Sequence, residues 1–137
     1  MRGTIHHVDL TITDIAVSQP FYESILTFMG YVRSHEDARG VDWDRMGKDG
    51  AFCSIGIKKA EEDGRYRRHD RHSPGLHHLA WSAESRADVD QVYALLLSIG
   101  ATVLDAPAEY PQYGRDYYAV FFADPDGLKL EFVHQPL

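Results

Sequence analysis

Two histidine pairs, His6-His7 and His77-His78, and one carboxylate in an apolar run, Glu131, are the side chains best suited to chemistry in this sequence. Each pair opens an alternating stretch: Ile5-His6-His7-Val8-Asp9-Leu10-Thr11 and Leu76-His77-His78-Leu79-Ala80-Trp81-Ser82. Alternation of this kind reads as a half-buried strand, in which successive side chains point to opposite faces. Val8, Leu10 and Ile12 form the apolar set of the first strand, Leu79, Trp81 and Ala83 that of the second, and Leu130 and Phe132 that of the last. His7, Asp9 and Thr11, then His78, Ala80 and Ser82, then Glu131 and Val133, fall on the other face. His6 and His77 lie one residue out of phase, which predicts a structural role for both. Two neutral imidazoles and a carboxylate suit Fe, Mn, Ni, Co or Zn, and three protein ligands leave coordination positions open to water or substrate. Asp9 shares the face of His7 and is the candidate base; the competing reading is a carboxylate that orients bound water.

The elements that must position these residues repeat. After each His-His strand comes a helical pattern: Val17, Phe21, Ile25 and Phe28 in the first copy, Val89, Val92, Leu96 and Ile99 in the second. Pro20 is expected in the first helical turn, where its missing N–H is harmless. Ser85 and Asp88 read as a capping pair, and Gly30 and Gly100 as helix stops. Strand-like runs follow at Tyr31–His35, Val41–Met46 and Ala51–Lys58, and again at Thr102–Asp105, Tyr117–Phe122 and Leu128–His134. The chain is therefore read as an α+β fold of two βαβββ modules, about 1–60 and 75–137, joined by a linker over about 61–74. The arginine-rich part of that linker, Arg65–His72, is read as a solvated connection; closure over an anionic substrate is the alternative.

The polar stretch Tyr110–Tyr118 supplies candidate substrate contacts. Tyr113 and Tyr117 can donate to a substrate oxygen, and Arg115 can pair with a carboxylate. Trp43 and Arg45 share one phase of a strand and are further candidates to line the site. Cys53 is expected on the helix-facing side as a small core residue.

Composition limits the partners. A net charge of −7 on 137 residues argues against nucleic acid, whose phosphates call for a surplus of Lys and Arg. No run approaches the roughly 18 apolar residues of a membrane span. The N-terminal stretch lacks the apolar core of a signal peptide, and one cysteine permits no internal disulfide; both fit a reducing cytoplasm.

Three segments resemble the vicinal oxygen chelate superfamily, which includes glyoxalase I, bleomycin-resistance proteins and extradiol dioxygenases. They are His7-Val8-Asp9-Leu10-Thr11-Ile12-Thr13-Asp14 with Ser18 and Phe21-Tyr22, then Gly75-Leu76-His77-His78-Leu79-Ala80-Trp81, then Asp124-Pro125-Asp126-Gly127-Leu128-Lys129-Leu130-Glu131. The resemblance implies an open, barrel-like cup around a divalent metal held by His7, His78 and Glu131, a small oxygenated substrate and a homodimer. It also shows a departure. Glyoxalase I has a fourth ligand, a carboxylate, on the last strand of its first module. Aligning Asp49-Gly50 with Asp126-Gly127 puts Ser54 opposite Glu131, and no carboxylate lies on Ala51–Lys58. Ser54 is then a substrate-contact candidate, and glyoxalase I activity is disfavoured. Tyr110–Tyr118 holds no serine, which speaks against the fosfomycin-modifying transferases. A dioxygenase- or lyase-type metalloenzyme is expected; the alternative is a binding protein that sequesters a drug or metabolite without turnover.

Overall fold

The structure, a computed structural model, describes residues 2–64 and 67–136. It forms two compact units, Met1–Arg67 and Arg68–Leu137. The first contains β1 (His7–Ile12), α1 (Ile15–Phe28), β2 (Val32–Asp37), β3 (Gly40–Met46) and β4 (Phe52–Lys59). The second contains β5 (His78–Ser82), α2 (Arg86–Ser98), β6 (Thr102–Glu109), β7 (Tyr118–Ala123) and β8 (Lys129–His134). Each unit is thus a βαβββ module, and the fold class is α+β. The sheets run β1-β4-β3-β2 and β5-β8-β7-β6. In each, the first strand pairs parallel with the last, and the remaining pairs are antiparallel. Arg65 and Tyr66 of the arginine-rich stretch lie outside the described residues.

Local chemistry sets the helix ends. Asp14 caps α1 by accepting from Ala16 N–H at 2.9 Å, and Ser85 caps α2 by accepting from Asp88 N–H at 3.1 Å. Because Asp14 is the cap, α1 begins at Ile15 and Pro20 lies inside the helix rather than in its first turn. The interior position costs one backbone hydrogen bond, that to the Ala16 carbonyl. Both helices end on a glycine of positive φ, Gly30 at 89° and Gly100 at 69°. The next residue closes each end: Tyr31 N–H donates to Leu26 and Ala101 N–H to Leu96, both at 2.9 Å.

Alternation then sorts the faces. In the first unit Leu10, Ile12, Val41, Trp43, Ile55 and Ile57 are buried, as are Phe21, Tyr22, Ile25 and Leu26 of α1. In the second unit the corresponding layer is Val120, Phe122, Leu130 and Phe132 with Val89, Val92 and Leu96 of α2. Each such side chain contributes about 1.5–3 kcal/mol on burial. Cys53 lies in the helix-side phase, 3.8 Å from the Tyr31 hydroxyl.

Candidate functional site

The second unit builds most of its site around Glu131, which is 2% exposed. A buried carboxylate is costly unless it is paired and hydrogen-bonded. Its partners here come from both directions. The Tyr117 hydroxyl donates to Oε1, and His78 Nε2 lies 3.3 Å from Oε2. Register places them: Ala80 of β5 pairs with Glu131 of β8, so His78, two residues earlier, shares the Glu131 face. The turn before β8 fixes where that strand starts. Asp124 is 4% exposed, and its carboxylate accepts from the N–H groups of Asp126 and Leu128, each at 2.9 Å. Gly127 completes this turn at a φ of 86°.

An aromatic wall continues from this point. Tyr113 packs edge-on to Tyr117 with ring centroids 5.6 Å apart, and Tyr110 stacks on Tyr113 at 5.6 Å. Phe121, the antiparallel partner of Glu131, stands edge-on to Tyr110 at 5.2 Å and carries the Lys129 ammonium over its face at 4.5 Å. Burial, and secondly the hydrogen bond to Glu131, raise the Tyr117 pKa far above the ordinary tyrosine value. Its neighbour Tyr118 points to the helix side, donating to Asp90 at 2.6 Å, with the Arg86 guanidinium over its ring. Arg115 is exposed beside Asp116, 3.5 Å away. Tyr110, Phe121 and Lys129 were not found from sequence. The signal for Phe121 and Lys129 is phase, since both lie on the Glu131 face of their strands.

The first unit offers a different face. His7 pairs with Ser54, Asp9 with Gly56 and Thr11 with Lys58. Asp42 of β3 also lies opposite Gly56. A Cβ on Gly56 would come within 2.3 Å of an Asp9 carboxylate oxygen and 2.4 Å of an Asp42 one. Lys58 Nζ binds Asp42 at 2.7 Å, and that hydrogen bond raises the lysine pKa. Among the described residues Asp9 has no hydrogen-bond partner. Trp43 and Arg45 do not line this face. Trp43 is fully buried on the helix side, its indole N–H donating to Glu23 of α1. Arg45 shares that side: a Cβ on Gly30, at the end of α1, would lie 3.6 Å from its Nε. The reason is phase, because Val41, Trp43 and Arg45 alternate with Asp42 and Asp44.

Ser54 matches Glu131 only when counted from the hairpins. Gly47 N–H bonds the Ala51 carbonyl as Asp124 N–H bonds that of Leu128, and this count makes Ser54 the counterpart. Counted from the paired first strand, the residue opposite Asp9 is Gly56, as the residue opposite Ala80 is Glu131. A ligand's geometry follows its neighbour on the adjacent strand, so Gly56 holds the corresponding place. Neither residue is a carboxylate.

A divalent ion suits the donors present. An imidazole nitrogen and a buried carboxylate oxygen already face one another, and positive charge would compensate the burial of Glu131. His78 and Glu131 belong to the second unit and His7 to the first. Among the described residues, no group of three or more His, Cys, Asp or Glu side chains is close enough together to hold a metal.

Residues 4–132 match the model of the Glyoxalase/Bleomycin resistance protein/Dioxygenase superfamily. The chain belongs to that superfamily. Within the superfamily it is 33% identical over 129 residues to YqjT of Bacillus subtilis (strain 168), itself an uncharacterised protein; the match covers 94% of this chain and 97% of YqjT. A candidate glyoxalase from Bacillus halodurans has a similar structure, with a TM-score of 0.81 and 28% identity over 98% of this chain and 97% of that one. A glyoxalase/bleomycin resistance protein from Albidiferax ferrireducens T118 shares the fold, with a TM-score of 0.72 and 23% identity over 96% and 98% of the two chains.

Proposed function

We propose that this chain is a metal-dependent enzyme acting on a small oxygenated molecule, with His78 and Glu131, and His7 of the same chain or of a second copy, as ligands of Fe, Mn, Ni, Co or Zn. The observation that supports it is Glu131, a buried carboxylate set between a phenol and an imidazole. A bound divalent ion with open positions supplies Lewis-acid activation of a carbonyl or enolate, or activates water or dioxygen.

The chain's own residues do the rest. Tyr117 fixes one oxygen of Glu131 and leaves the other toward His78. Tyr110 and Tyr113, stacked on one another, and Phe121, edge-on to Tyr110, give an aromatic surface against which the substrate packs. Asp9, a carboxylate without a hydrogen-bond partner among the described residues, takes the substrate proton. Ser54, beside His7, donates its hydroxyl to a substrate oxygen. Tyr113 and Arg115 bind at the mouth, with Arg115 pairing a substrate carboxylate. A lyase or dioxygenase is favoured over glyoxalase I, because β4 brings no carboxylate to the place of Glu131.

No helix among the described residues is long and apolar enough to cross a membrane. A cytoplasmic homodimer is part of the proposal; it draws on the composition and on the family resemblance.

The test is metal analysis of full-length protein purified without chelator. Stoichiometric divalent metal is expected in the wild type and little in His7→Ala, His78→Ala or Glu131→Ala. Unchanged metal content in all three variants would end this reading. The aromatic wall supports a second reading, a protein that holds a drug or metabolite without turnover. It predicts that ligand affinity survives chelator treatment and that the ligand is recovered unaltered.

A further inference from the structure

Both histidine pairs make the same contact. His6 Nδ1 lies 3.1 Å from His7 Nδ1, and His77 Nδ1 lies 2.7 Å from His78 Nδ1. Two imidazole nitrogens at this distance share one proton, one donating and the other accepting. Burial does not account for the outer rings, since His6 and His77 are both exposed. Each is instead braced by a second ring. His6 packs on Phe52 with centroids 4.8 Å apart, and His77 stands edge-on to His72 at 5.9 Å.

We propose that His77, and His6 in the other unit, are positioning residues that engage Nδ1 of the next histidine and so commit its Nε2 to the metal site. This rests on the proposed metal-ligating role of His7 and His78. Without metal, His78 Nε2 faces Glu131 Oε2 at 3.3 Å and its N–H points there, while Nδ1 accepts from His77. With metal on Nε2, the neutral imidazole carries its proton on Nδ1. That proton needs an acceptor, and His77 Nδ1 is in place for it at 2.7 Å. The His77 proton then sits on its own Nε2, on a ring open to solvent. An outer partner of this kind fixes the tautomer and orientation of a ligating ring and raises its basicity. The same contact in both units is the physical content of the doubled histidines: the second of each pair binds and the first aims it.

The test compares full-length wild type, His77→Phe and His77→Asn, each labelled with 15N-histidine, using Zn(II) alone as the probe. Phe keeps a ring but offers no acceptor. Asn places an amide oxygen near the position of Nδ1. In the metal-free wild type, a scalar coupling across the shared proton is expected between the two Nδ1 atoms. In the Zn(II)-loaded protein, His78 should carry its proton on Nδ1. His77→Phe should weaken Zn(II) binding about 10–100-fold, and His77→Asn should stay within a few-fold of wild type. Equal losses in Phe and Asn, full affinity in Phe, or no coupling in the wild type would each overturn the proposal. A wild type that takes up no Zn(II) would instead sink the metal reading, and the coupling would still decide whether the pair is bonded. Should His77→Phe fail to fold, the wild-type coupling and the Asn variant decide.

Discussion

Gly56 lies opposite Asp9 in the parallel pairing of β1 and β4, and its missing side chain is what leaves room for the Asp9 carboxylate. The same position in the second unit holds Glu131, opposite Ala80. The two modules therefore solve one geometric problem in opposite ways. In the second, a carboxylate rises from the last strand over a small residue on the first. In the first, a carboxylate on the first strand leans over a glycine on the last. Gly56→Ala should accordingly be destabilising by about 1–2 kcal/mol, because the new methyl displaces Asp9 and Asp42, and Asp42 is held by Lys58. Urea unfolding measures this. A variant as stable as wild type would mean that both carboxylates move aside freely.

Glu131→Gln separates charge from shape. The amide keeps an acceptor for Tyr117 and nearly the same volume, but it removes a buried charge. The amide escapes the desolvation cost of a buried carboxylate and still accepts from Tyr117, while His78, its other partner, keeps access to water. The metal-free variant should therefore unfold within about 1 kcal/mol of wild type, or later. Its metal content should nevertheless fall to background. Retained metal would show that the carboxylate charge is not required for binding.

The strands and their faces were legible because period-two alternation is strong wherever one face packs on a helix. His7 and Asp9 show their phase plainly beside Leu10 and Ile12, and Glu131 beside Leu130 and Phe132. The helix start was harder. Pro20 points to a first turn, but Asp14 supplies the cap and starts the helix at Ile15, and the helix packing tolerates the interior proline. Trp43 and Arg45 share one phase of β3, and alternation alone does not say which face that phase takes, since Asp42 and Asp44 form an equally regular set. Only the burial of the indole against α1 decides between them. The Gly56 relationship was not readable, since it depends on a two-residue slide of β4 along β1 that no turn residue reports. The wall of Tyr110, Tyr113 and Phe121 depends on how the Tyr110–Tyr117 loop folds back, which alternation does not describe.

Trp43 tests the assignment of faces directly. Its ring is fully buried and its N–H donates to Glu23. Trp43→Phe should cost about 1–3 kcal/mol through lost volume and the lost hydrogen bond. Glu23 keeps Arg33 as a partner at 3.2 Å, so it is not stranded. Metal affinity and any turnover should be unchanged in the folded variant. A variant of normal stability that loses metal or ligand would return the indole to the open face.

Tyr118 joins β7 to α2 through its hydrogen bond to Asp90, and this bond, ahead of burial, raises the phenol pKa. The sign of the resulting pH dependence follows from which state holds the proton. Above the ordinary tyrosine value near pH 10, the unfolded chain loses the Tyr118 proton while the folded chain still binds it. Stability contributed by this group is therefore complete below about pH 10 and is lost as pH rises through the folded pKa. Tyr110 and Tyr117 are raised as well, chiefly by burial, so the wild-type slope contains all of them. The measurement that isolates Tyr118 is the difference between wild type and Tyr118→Phe in urea midpoints across the alkaline range. That difference should be constant near neutrality and shrink above about pH 10. A gap that stays constant to the highest pH at which both proteins fold would show that the Asp90 contact does not hold the proton.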